Sequence, residues 1–79
     1  MYWVVKAEYV ENFKIRVFFN DKIEGIVDLH EMVHHDHRSI VKELKDEKRF
    51  KKFKVEMDTI VWENGLDLAP EFLHDKVQR

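Results

Sequence analysis

Ile60-Val61-Trp62-Glu63-Asn64-Gly65-Leu66-Asp67-Leu68-Ala69-Pro70-Glu71-Phe72-Leu73 is the stretch whose reading decides the fold of this chain. An apolar run ends in Trp62. Asn64-Gly65 then makes a turn, since both residue types tolerate left-handed backbone. Leu66 and Leu68 flank Asp67. Pro70 fits the first turn of a terminal helix, with Phe72, Leu73 and Val77 facing inward.

Upstream of this stretch, Val55 and Met57 alternate, and Ile60 and Trp62 continue one residue out of phase. That pattern predicts a strand over Val55 to Trp62 with a bulge near Asp58-Thr59. Asp46 to Phe53 reads as a turn or short helix that brings Phe50 and Phe53 to one side. Ser39 is placed to cap a helix over Ser39 to Lys45, where Ile40, Val41 and Leu44 share a face.

The first third alternates with a period of two. Trp3, Val5 and Ala7 form one face of a first strand. Phe13, Ile15, Val17 and Phe19 form one face of a second. Asn20-Asp21-Lys22 reads as a hairpin turn. A third strand follows from about Ile23 to Leu29, with Gly25 marking a bulge or the close approach of a ring. The expected fold is therefore α+β, one domain over residues 1–79. Its order is an antiparallel three-stranded meander, a helix, a fourth strand and a short C-terminal helix. The expected core is Trp3, Phe13, Ile15, Val17, Val27, Leu29, Leu44, Phe50, Val55, Trp62, Leu68, Phe72 and Leu73.

Composition narrows the function. At 79 residues the core contributes only a few kcal/mol net, so a partner subunit is a common source of added stability. The absence of cysteine removes disulfides and thiolate metal sites. No apolar run approaches the roughly 20 residues of a membrane span, and no signal-peptide pattern opens the chain, so a cytoplasmic setting is expected. Aromatic residues make up 13%, which suits a compact domain. The net charge of −2 disfavours nucleic acid as a partner, since free-standing binders are usually basic.

With these elements placed, the chain resembles the bacterial family called domain of unknown function 2442. The resemblance rests on Phe19-Asn20-Asp21-Lys22, Val27-Asp28-Leu29, Phe50 and the terminal run from Trp62 to Leu73. It covers nearly the whole chain, and the terminal motif is its specific part. The motif positions are Asp28, Trp62, Asn64, Gly65, Asp67, Leu68, Pro70, Glu71 and Leu73. Lys22 stands where the family pattern has glycine. The resemblance implies a small α+β domain with no assigned catalytic residues. Some members are fused to a helix-turn-helix domain. Many are encoded beside another small protein, an arrangement that suggests toxin–antitoxin pairs.

Three groups of residues invite a chemical reading. His34, His35 and His37, with Asp36, are metal-ligand types. Neighbours in an extended loop point to opposite sides, however, so a polar loop is the expected role and no metal or cofactor is assigned. Asp67 and Glu71 could pair as acid and base. The structural alternative is that Asp67 holds the turn and Glu71 complements the helix dipole; Asp28 likewise ends a strand or caps the next segment. Seven cations between Lys42 and Lys54 could meet phosphates or an acidic partner, or could lie on a solvated helix laced with i,i+4 pairs.

The expectation is a non-enzymatic protein-interaction domain with no catalytic residues. Its partner would be a small co-encoded protein or a second copy in a homodimer. A nucleic-acid-associated regulatory module is the alternative. Tyr2, Val4, Phe18 and Ile26 fall opposite the expected core face and are the expected interface.

Overall fold

A computed structural model describes residues 1–77. Three antiparallel strands form the first sheet in the order β1-β2-β3: β1 (Val4–Glu11), β2 (Lys14–Phe19) and β3 (Glu24–Asp28). Helical pieces follow: α1 (His30–His35), α2 (Ser39–Lys42), a 3-10 turn (Glu43–Lys45) and α3 (Glu47–Phe50). A second antiparallel sheet has the order β4 (Lys54–Glu56), β5 (Thr59–Val61) and β6 (Asp67–Leu68), and α4 (Pro70–Lys76) ends the described chain. The class is α+β, as expected.

The core lies between the first sheet and everything that follows it. Ile15 and Val17 of β2 and Val27 of β3 are fully buried, with Val33, Val41, Phe50, Ile60 and Leu73 supplied by later elements. Each of those later elements is too short to hold its shape alone, since isolated helices under about 12 residues are marginal in water. Their stability therefore comes from the apolar side chain each delivers to this common core.

Two bulges govern β1. Val4 pairs with Phe19 but Lys6 pairs with Phe18, so Val5 is extra; Tyr9 pairs with Ile15 but Glu11 with Lys14, so Val10 is extra. One extra residue reverses which face a strand presents. Val4 is therefore buried at 2% exposure, where an outward position was expected, and Trp3 is exposed at 42% where burial was expected. Val5 and Val10, the extra residues, both point into solvent. Two further core expectations are corrected at the periphery. Val55 lies on the edge strand of the second sheet and Phe72 on the outer side of α4, and both are more than a third exposed.

The turns show a second departure. The expected fourth strand is a hairpin: Glu56 pairs with Thr59, and Met57 and Asp58 between them have φ of 49° and 68°. Two positive φ values are what a two-residue type I′ turn requires. This turn, rather than a bulge, produces the phase shift between Met57 and Ile60. The β1–β2 turn is built the same way from Asn12 and Phe13, with φ of 47° and 64°. A phenylalanine in that region is sterically costly. Its ring is buried against Phe50 and its carbonyl accepts the Leu29 N–H, which offset the cost. Gly25 sits buried opposite Val17 in regular register, so no bulge occurs there.

The β2–β3 turn spans Asn20-Asp21-Lys22. The Lys22 N–H donates to Phe19 and the Phe19 N–H to Ile23, with Lys22 at φ 70°. A left-handed L-residue costs about 1–2 kcal/mol that glycine avoids, part of which glycine returns as unfolded-chain entropy. Lys22→Gly is therefore expected to stabilise the protein by up to about 1 kcal/mol, read as a higher urea midpoint. An unchanged or lower midpoint would show that the lysine carries no strain.

Candidate functional site

The terminal motif is a set of fastenings. Trp62 is buried at 3% exposure, and its indole N–H donates to the Phe50 carbonyl at 2.8 Å. That bond docks the end of α3 onto the second sheet. The next turn closes through Trp62 N–H to the Leu66 carbonyl and Gly65 N–H to the Trp62 carbonyl. Gly65 has φ 95°, and a side chain there would meet open space, so only the backbone angle demands glycine.

Asn64 holds the turn from inside and outside. Its Oδ1 accepts the Leu66 N–H, and its Nδ2 donates to the Ile40 carbonyl at 2.8 Å and to Glu43 Oε2 at 2.7 Å. The turn is thereby tied to α2 and the 3-10 segment. Asp67 was expected to hold this turn. Instead it lies exposed in β6 opposite Val61, since the Leu66 N–H is already taken by Asn64 two residues back. Leu68 is buried, and its carbonyl accepts the Thr59 hydroxyl. Pro70 opens α4, Glu71 is in its first turn, and Leu73 is fully buried. No hydrogen bond or ion pair among the described residues joins Asp67 to Glu71. Asp28 ends β3, and its carboxylate accepts the His30 N–H at the start of α1.

His34 and His35 end helix α1, while Asp36 and His37 lie in the short loop that follows. His34 lies one turn after His30, with the rings stacked at 4.2 Å, and its Nδ1 meets the His30 carbonyl at 2.8 Å. His35 and His37 are exposed. Asp36 is engaged by Arg38 through both carboxylate oxygens, and that guanidinium, with the Arg38 N–H, holds the carboxyl below its ordinary pKa. Among the described residues no group of three or more such side chains is arranged to hold a metal ion.

His74 is buried. Its ring stacks on Tyr2 at 3.8 Å, meets the edge of Phe19, and places Nε2 3.0 Å from Asp21 Oδ2. It ties the N-terminal segment and the β2–β3 turn to α4. Of the other expected interface residues, Val4 is core and Tyr2 stays 37% exposed beside His74. Phe18 is half-buried beneath Lys6, whose ammonium is 5.4 Å from the ring centroid, and Ile26 is half-buried opposite Arg16.

More fully exposed apolar residues lie elsewhere. Val4 donates its N–H to the Asp58 carbonyl at 2.8 Å. Trp3 and Val5 flank Val4, and Met57 precedes Asp58, so one hydrogen bond brings the backbones of these three residues near one another. Their exposures are 42%, 60% and 92%. No sequence pattern could place Met57 there without the two-residue turn being known.

Residues 4–78 match the model of the family described as protein of unknown function (DUF2442). The chain belongs to that family. No curated protein and no solved structure matches it. No helix among the described residues is long and apolar enough to cross a membrane.

Two outcomes are expected. Asn64→Ala removes both outward hydrogen bonds and the internal one, and should cost about 1–3 kcal/mol in urea unfolding. The Asp21 carboxyl is raised by desolvation, but bonds from the Ile23 N–H and the His74 imidazole outweigh this and hold it below its ordinary value. A carboxyl with a lowered folded pKa contributes stability above its unfolded pKa, and loses it as pH falls through the folded one. The stability gap between wild type and Asp21→Asn should therefore close as pH falls below about 4. A gap that stays constant into acid would show that Asp21 does not contribute through its charge.

Proposed function

We propose that this chain is a non-enzymatic protein-interaction domain acting in the cytoplasm. Its partner is a second copy of itself or a small co-encoded protein, as in a toxin–antitoxin-like pair. The observation that supports the reading is the exposed apolar group Trp3, Val5 and Met57 at the junction of the two sheets. Burying apolar surface contributes about 25 cal/mol per Å², so covering three such side chains matters to a domain of this size.

The local backbone also suits docking through side chains. β1 is an edge strand, and its bulges at Val5 and Val10 interrupt the regular edge that another strand would extend. The same bulges turn Val5 and Val10 outward. This grouping differs from the expected Tyr2, Val4, Phe18 and Ile26: Val4 is core, Phe18 and Ile26 are half-buried, and Tyr2 is 37% exposed while stacked on His74.

A homodimer is the simplest case. Sedimentation velocity should show concentration-dependent association of the wild type, and Met57→Lys and Val5→Lys should sediment as folded monomers. Neither side chain is in the core, so loss of fold is not expected. A wild type that stays monomeric at high concentration excludes the homodimer. The same two substitutions, tested by co-purification with the co-encoded protein, then decide whether this surface binds anything.

A further inference from the structure

His30 and His34 stand at i and i+4 of α1, so they share one face of the helix. Their rings lie side by side, with centroids 4.2 Å apart and planes 22° from parallel. The Phe13 ring meets both edge-on, at 5.0 Å from His34 and 5.7 Å from His30. Phe13 is itself buried in the core, so the two imidazoles rest together on a fixed support.

The hydrogen bonding of this pair leaves ligand nitrogens free. His34 Nδ1 lies 2.8 Å from the His30 carbonyl. A carbonyl oxygen only accepts, so Nδ1 carries the proton and Nε2 keeps its lone pair. Metal-ligating histidines usually have this outer support: one ring nitrogen donates to a carbonyl or carboxylate, which fixes the other as the ligand. Neither ring nitrogen of His30 has a hydrogen-bond partner among the described residues, since Asp28 holds its backbone N–H instead. His34 is exposed, and His30 is half-buried beside an open hollow of about 330 Å³, so an ion and its waters can reach the pair. His35 and His37 lack these features: among the described residues neither ring is stacked or hydrogen-bonded.

We propose that His30 and His34 chelate a late first-row divalent cation, Cu(II) ahead of Zn(II), with water in the remaining positions. Imidazole nitrogen suits both ions, and affinity at a given site peaks at Cu(II). Both lone pairs must point at one ion, so the His30 ring, which no hydrogen bond holds, turns out of the stack while His34 keeps its carbonyl bond. The chelate then spans α1 from its first residue to its fifth, and pins a helix too short to persist alone. An ion held by the folded chain also stabilises it by mass action. The site is independent of the protein-binding reading and shares no residue with Trp3, Val5 and Met57.

The test titrates the untagged protein with Cu(II) and with Zn(II) at neutral pH, read by calorimetry. The variants are His30→Ala, His34→Ala, and His35→Ala combined with His37→Ala. One ion per chain is expected, with Cu(II) the tighter. Outer partners of ligating histidines are by themselves worth about 10–100-fold in affinity, so removing either imidazole should weaken binding at least to that extent. The combined His35 and His37 variant should bind like wild type. Electron paramagnetic resonance of the Cu(II) form should show coupling to two imidazole nitrogens, falling to one in either single variant. Saturating Zn(II) should raise the thermal midpoint of wild type and not that of His34→Ala. Circular dichroism checks each fold. The His34 side chain is exposed, so His34→Ala keeps the test decisive even where His30→Ala fails to fold. Equal affinity in wild type and His34→Ala, as for an ion held at the amino terminus, would overturn the proposal. So would loss of binding on removing His35 and His37, or coupling to a single nitrogen in wild type; the pair would then be only a cover for Phe13.

Discussion

The hydrogen bond from the Trp62 indole to the Phe50 carbonyl is the constraint on which the rest of this fold depends. It forms inside the core, where an unsatisfied carbonyl would cost about 1–3 kcal/mol. It also fixes direction. Phe50 is the last residue of a four-residue helix that could not persist alone, and Trp62 follows a three-residue strand. Joining them sets the second sheet against the helical layer. Phe50 in turn packs edge-on against Phe13 and Tyr9 of the first sheet, so a single aromatic group connects both sheets and the helices. Tyr9 adds a polar tie, since its hydroxyl bonds Glu47 and accepts the Phe13 N–H. Desolvation, and then that carboxylate, push the Tyr9 hydroxyl above its ordinary pKa.

Around this centre, short pieces are secured by named side chains rather than by length. Asn64 holds the motif turn to α2, and His74 holds α4 to the β2–β3 turn and to Tyr2. This gives the family motif a structural meaning. Trp62, Asn64, Gly65, Leu68, Pro70 and Leu73 each form a turn, start a helix or fill the core. The positive φ of Lys22 likewise accounts for glycine in the family pattern at that turn.

Much of the fold was legible because its strongest signals are local. The alternation of Ile15, Val17 and Phe19, the Asn20-Asp21-Lys22 turn and the Pro70 helix start all state their conformation within a few residues. The misplaced elements lack such signals. Met57-Asp58 and Asn12-Phe13 form left-handed turns without glycine at either position, so tertiary packing decides their backbone. The bulge at Val5 leaves alternation intact to the eye while reversing the face, and so Trp3 and Val4 exchanged places. Helix α1 has one fully buried apolar residue, Val33, and its histidines hid the helical period. The site followed the same logic. The motif residues were readable, but the exposed junction at Met57 depends on a turn and a long-range hydrogen bond. The pairing of His30 with His34 depends on α1 being a helix and on Phe13 lying beneath both rings. Both sites therefore emerge from the three-dimensional arrangement.

The most direct measurement of the central claim uses the two tryptophans as each other's control. Each contributes one indole N–H signal in a proton–nitrogen NMR spectrum. Trp3 is 42% exposed, and Trp62 is buried with its N–H bonded to Phe50. On transfer to deuterated water, one indole signal should vanish as quickly as exposed amides. The other should persist as long as the slowest core amides, because it opens only with global unfolding. Rapid loss of both signals would contradict the account, since the Trp62–Phe50 bond could then be broken without unfolding the protein.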